Sequence, residues 1–137
     1  MVEVALMDPS KTTDNKLRWQ AVVEGVNFKL YVPKWRVPRP WPTRILVRIS
    51  DVPAGAQVRD QAATAASSNS LERPICGIVE RVREHTQTVR FAPQGDPRDW
   101  EMGEPYIPYN LLASPSVQAV RIEVEWDRSA GTWFDEG

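Results

Sequence analysis

Apolar and polar residues alternate through LRWQAVVEGVNFKLYV, residues 17 to 32, on both sides of Glu24-Gly25. A period of two marks a strand with one buried face, and a two-residue loop containing glycine joins two such strands as a hairpin. A loop at Glu24-Gly25 pairs Val23 with Val26, Ala21 with Phe28, Trp19 with Leu30 and Leu17 with Val32, so one face is wholly apolar. The other face carries Val22 with Asn27, Gln20 with Lys29 and Arg18 with Tyr31. A slip of one residue would mix the two sets, which fixes the register.

The same period runs through Ile45, Val47 and Ile49 in TRILVRIS, and through Val120, Ile122, Val124 and Trp126 in VQAVRIEVEW. Both stretches predict strands with one apolar face, and Trp19 and Trp126 are expected to be buried. ICGIVERVREHTQTVRFA, residues 75 to 92, predicts a second hairpin turning near Glu84-His85. Its register stays open: a three-residue loop pairs Glu80 with Arg90, and a two-residue loop pairs Ile78 with Phe91. VEVAL near the start adds an edge strand.

Helix signals are scarce. Residues 55 to 72 form either a short helix or a mobile loop, since their alanines favour helix but bring almost no bulky apolar face, and ASSNS within them reads as a disordered tip. The prolines around PYNLLASP leave room for one helical turn. The fold class is therefore all-β, or β-dominated α+β: a single domain over 1–137, an antiparallel barrel or sandwich of about six or seven strands. Long proline-rich loops connect the strands, with at most one short helix.

Between the first two alternations lies a Pro/Trp-rich connector, residues 33 to 43, with Pro33, Pro38, Pro40 and Pro42. Proline fixes φ and removes a donor, so the connector is expected to run extended over the surface and to cover one end of the β structure. Its basic and aromatic residues also form a candidate interaction surface: Lys34, Trp35, Arg36, Arg39, Trp41 and Arg44. Tryptophans can stack on bases while cations meet phosphates, but tryptophan in a small β domain more often packs inside.

Charge sharpens this picture. The chain is 137 residues long with a net charge of -1, a fold-sized and nearly neutral molecule. Residues 1 to 50 hold nine basic and four acidic side chains, while residues 95 to 137 hold three basic and nine acidic. No acid falls between Glu24 and Asp51, where Lys29, Lys34, Arg36, Arg39, Arg44 and Arg48 lie. If the last long strand neighbours residues 44 to 50, Glu123 and Glu125 can face Arg44 and Arg48 within one chain. The same complementarity between two copies favours a homodimer.

Candidate chemistry is thin. The one histidine, His85, sits at a predicted turn, and one histidine with one cysteine cannot supply a usual zinc site. Acid pairs Asp96 with Asp99 and Glu101 with Glu104 sit in loop sequence, and no phosphate-loop spacing occurs. No catalytic residue, cofactor or metal is assigned. A second candidate is an aromatic pocket drawn from Trp100, Tyr106, Tyr109 and Trp133. Cys76, inside an apolar run, reads as a buried inert thiol, and a lone cysteine without a leader or membrane-length apolar stretch points to the cytoplasm.

The expected function is a non-enzymatic interaction or accessory module that binds a protein partner or its own copy. The first alternative is a nucleic-acid or polyanion-binding barrel using the 29–48 surface, a reading the near-neutral net charge disfavours. The second is a small-molecule-binding barrel with the aromatic pocket.

Overall fold

The computed structural model describes residues 2–7, 15–52 and 71–133, the last four of these by backbone alone. The helix-or-loop segment 55–72, including ASSNS, falls outside the described residues except for Leu71 and Glu72, which form a turn. Eight strands follow in chain order: β1 (Val2–Met7), β2 (Lys16–Val23), β3 (Val26–Pro33), β4 (Trp41–Asp51), β5 (Ile75–Glu84), β6 (Thr88–Pro93), β7 (Tyr106–Pro108) and β8 (Ala119–Trp133). They close into an antiparallel barrel in the order β1-β2-β3-β7-β6-β5-β8-β4.

The β2–β3 register is the one its alternation dictates, from Leu17 opposite Val32 to Val23 opposite Val26. Both loop residues adopt positive φ, 49° at Glu24 and 82° at Gly25, as a tight hairpin turn requires. The second hairpin takes neither sequence register. Glu84 pairs with Val89 and Arg83 with Arg90, the ladder shifts at Val82, and Glu80 then meets Ala92. A bulge places two residues opposite one, and period-two reasoning cannot see it.

The strand count rises to eight because β7 is three residues long, between Pro105 and Pro108, too short to show alternation. VEVAL is no edge strand: β1 pairs with β4 along its whole length and touches β2 at Met7 opposite Gln20. Closure leaves no wholly unpaired strand edge, as a sandwich would have, although β1–β2 and β3–β7 are each joined by one residue pair.

Inside the barrel, Leu6, Leu17, Trp19, Phe28, Leu30, Ile45, Val47, Phe91, Ile107, Ile122 and Val124 are fully buried and belong to one core cluster. Burying such a side chain contributes roughly 1.5–3 kcal/mol, so the interior is a packed core. Trp126 is only half-buried because it stands near the end of the barrel, its ring centroid 6.2 Å from that of Trp19. Cys76 is exposed, contrary to the buried reading, since it alternates with Ile75 and points outward opposite Glu123. Burial of part of the thiol, with Glu123 nearby, pushes its pKa up against the pull of Arg121. Among the described residues no helix is long and apolar enough to cross a membrane.

Candidate functional site

The connector after β3 does not run extended. Pro33 ends the strand, Lys34–Arg36 form a 3-10 turn, and β4 begins at Trp41. Pro42 sits within β4 beside a register shift, where a missing N–H is tolerated, and its carbonyl accepts the Trp19 indole N–H at 3.1 Å. Val37 and Trp41 join the core cluster, so the connector caps this end of the barrel.

Arg36 is the centre of that cap and is fully buried. Its Nε donates to Glu101 Oε2 at 2.8 Å, Nη1 to the Leu71 carbonyl at 2.9 Å, and Nη2 to the carbonyls of Arg73 at 2.8 Å and Pro74 at 3.3 Å. The guanidinium carbon lies 5.8 Å from the centre of the Trp126 ring, whose indole N–H donates to the Leu71 carbonyl. A buried charge is tolerated only when paired and hydrogen-bonded, and here all three guanidinium nitrogens donate. Burial works against ionising Glu101, but hydrogen bonds from Arg36 and then Arg73 outweigh it and hold the carboxyl below its usual range.

Of the six proposed surface residues, Arg36 and Trp41 are therefore interior. Trp41 is capped by cations, with Lys34 Nζ 5.6 Å and the Arg39 guanidinium 5.4 Å from its ring centre. Arg44 binds Asp127 at 2.6 Å, and Asp127 is held below the usual carboxylate range by Ser129 first and Arg44 second. Trp35, at 56% exposure, and Arg39 are the two exposed members of the six. Trp35 lines an open cleft of about 360 Å³ with Pro33, Pro97 and Trp100. Lys16, Lys34 and Arg98 stand on the same cleft, Arg98 held by Asp96 at 2.8 Å.

Of the second candidate's aromatic residues, Tyr106 and Tyr109 meet at His85, while Trp100 lines a different cleft. Tyr106 packs on His85 with ring centres 5.4 Å apart, and the Tyr109 hydroxyl donates to the His85 carbonyl at 3.3 Å. Trp100 belongs to the Trp35 cleft and donates its indole N–H to the Gly95 carbonyl. The Trp133 side chain lies outside the described residues; its backbone pairs with Trp41. The acid pairs also separate: Glu101 goes to Arg36, Glu104 approaches Arg90 at 3.6 Å, and Asp96 caps the 3-10 turn Pro97–Asp99 by accepting from the Arg98 N–H. Among the described residues, no group of three or more metal-ligating side chains comes together.

Sequence reasoning missed Glu101 as the partner of Arg36, 65 residues away, and missed Lys16, Pro97 and Arg98 as cleft residues. Neither grouping has a local pattern; both depend on which loops meet above the barrel. Neither a family model, nor a curated protein, nor a solved structure matches the chain.

Proposed function

We propose that the chain is a non-enzymatic interaction module that holds a partner protein on the outside of its filled barrel, at the Trp35–Trp100 cleft. The exposure of Trp35 carries this reading. A tryptophan left half in water beside a second tryptophan and two prolines is an apolar surface that gains free energy only when covered. The occupant that fits is an extended, acidic peptide segment with proline or aromatic side chains. Flat rings and prolines accept such residues, and Lys16 and Lys34 at the rim favour carboxylates. The packed interior supports an outer site over a ligand cavity inside the barrel.

A homodimer has less support than a partner protein, since Arg44 and Arg48 meet carboxylates within their own chain. A cytoplasmic setting goes with the module reading, supported by an exposed thiol that a reducing compartment keeps free.

Selection from a random-peptide display library tests the proposal. Enriched peptides should be acidic with proline or aromatic residues, and should bind Trp35→Ala at least about fivefold more weakly while the variant melts like wild type. Equal binding to Trp35→Ala, or enrichment of basic peptides, would refute it.

A further inference from the structure

One row of residues crosses six strands of the barrel. Met7 stands opposite Gln20, Gln20 opposite Lys29, Lys29 opposite Tyr106, Tyr106 opposite Arg90, and Arg90 opposite Arg83. Met7, Gln20, Lys29, Tyr106 and Arg90 alternate with buried neighbours such as Leu6, Trp19, Phe28, Ile107 and Val89, so they face outward, and Arg83, opposite Arg90, is itself exposed beside the bulge at Val82. Adjacent strands lie about 4.8 Å apart, which puts Lys29, Tyr106, Arg90 and Arg83 within roughly 15 Å.

The charges in this row are not matched. Arg83 and Arg90 stand directly opposite each other, an arrangement that destabilises a sheet. Among the described residues Lys29 and Arg83 make no ion pair, and Arg90 reaches only Glu104, at 3.6 Å, longer than a hydrogen bond. Glu84, beside Arg83, is engaged by Arg81. In the middle stands Tyr106, 39% exposed, braced by His85.

We infer that the Lys29–Tyr106–Arg90–Arg83 row is a binding surface for single-stranded nucleic acid. Facing cations are relieved by an anion laid across them, and three in line with an exposed aromatic ring meet the two needs of a single strand: phosphate neutralisation and a stacking face. The aromatic ring favours nucleic acid over an acidic protein, which needs only the charge. The site shares no cleft residue with the peptide surface and stands independently of it.

Fluorescence-anisotropy titration of a labelled oligothymidylate at several salt concentrations tests the inference. Three phosphate contacts predict a slope of log K against log salt of about -2, at about -0.7 per contact. Arg83→Glu should flatten that slope and weaken binding roughly tenfold at low salt. Tyr106→Ala should weaken binding at least about fivefold with the slope kept, and Tyr106→Phe should restore it. Binding weaker than millimolar by the wild type at about 50 mM salt, or undiminished binding by a folded Tyr106→Ala, would overturn the inference. Displacement of the oligonucleotide by an equal charge of polyglutamate would also overturn it, marking the row as a surface for acidic protein.

Discussion

On the β1–β4–β8 side of the barrel, Arg44 and Arg48 stand opposite carboxylates; on the β3–β7–β6–β5 side Arg83 and Arg90 stand opposite one another and Lys29 faces no acid. Arg48 is bound by Glu3, Glu123 and Glu125, each at 2.7 Å, and Arg44 by Asp127. Glu125, Glu123 and Glu3, in that order, push the Arg48 pKa up. Across the barrel, Arg83 faces Arg90. A charge imbalance along the chain is therefore a poor guide to the field around the fold. Within the basic stretch between Glu24 and Asp51, Arg44 and Arg48 are neutralised by the acidic last strand and Arg36 by Glu101, while Lys29 stays unmatched among the described residues together with Arg83 and Arg90, which come from the evenly charged stretch 51–94.

Matching becomes most consequential where it is buried. Removing Arg36 strands Glu101 and several carbonyls in the cap, so Arg36→Ala should lower unfolding free energy by about 3–5 kcal/mol in a denaturant titration. Arg36→Lys should recover little, because an ammonium cannot reproduce the fork to Glu101 and three carbonyls. A loss below about 1 kcal/mol for Arg36→Ala would show that the cap does not depend on this charge.

Glu101 gives a smaller effect with a defined pH dependence. Its side chain is one-third exposed and Arg36 keeps its carbonyl partners, so Glu101→Gln should cost about 1–2 kcal/mol at neutral pH. The folded carboxyl sits below its unfolded value, about 4.3, so its contribution is present above that pH and disappears as pH falls through the folded value. The gap between wild type and Glu101→Gln should therefore close in acid. A gap that stays constant from pH 7 to about pH 3 would contradict the ion pair.

How far the sequence disclosed these features follows from how local each one is. The β2–β3 hairpin was legible to the residue because its alternation, turn and pairing all lie within sixteen residues. The facing of Glu123 and Arg48 was legible once two strands were assumed to be neighbours, although Arg44 went to Asp127 instead. The barrel end was not legible. Arg36 reads as a surface cation in KWRVPRPWP, and its burial depends on carbonyls at 71–74 and a carboxylate at 101. Nor was the Lys29–Arg83 row, because a bulge at Val82 and a three-residue strand set who faces whom.

The contrast between the two sides is tested most directly by reversing one arginine on each and comparing melting temperatures at low and at high salt. Arg48→Glu sets a fourth carboxylate among three and should lower the melting temperature, with a deficit that shrinks in salt. Arg83→Glu replaces a repulsion with an attraction to Arg90 and should leave the melting temperature unchanged or raise it, by the equivalent of about 0.2–1 kcal/mol at low salt. Opposite signs at low salt, converging at high salt, are the predicted result. Equal losses from both reversals would contradict the account, because the cations of the two sides would then be equally well matched.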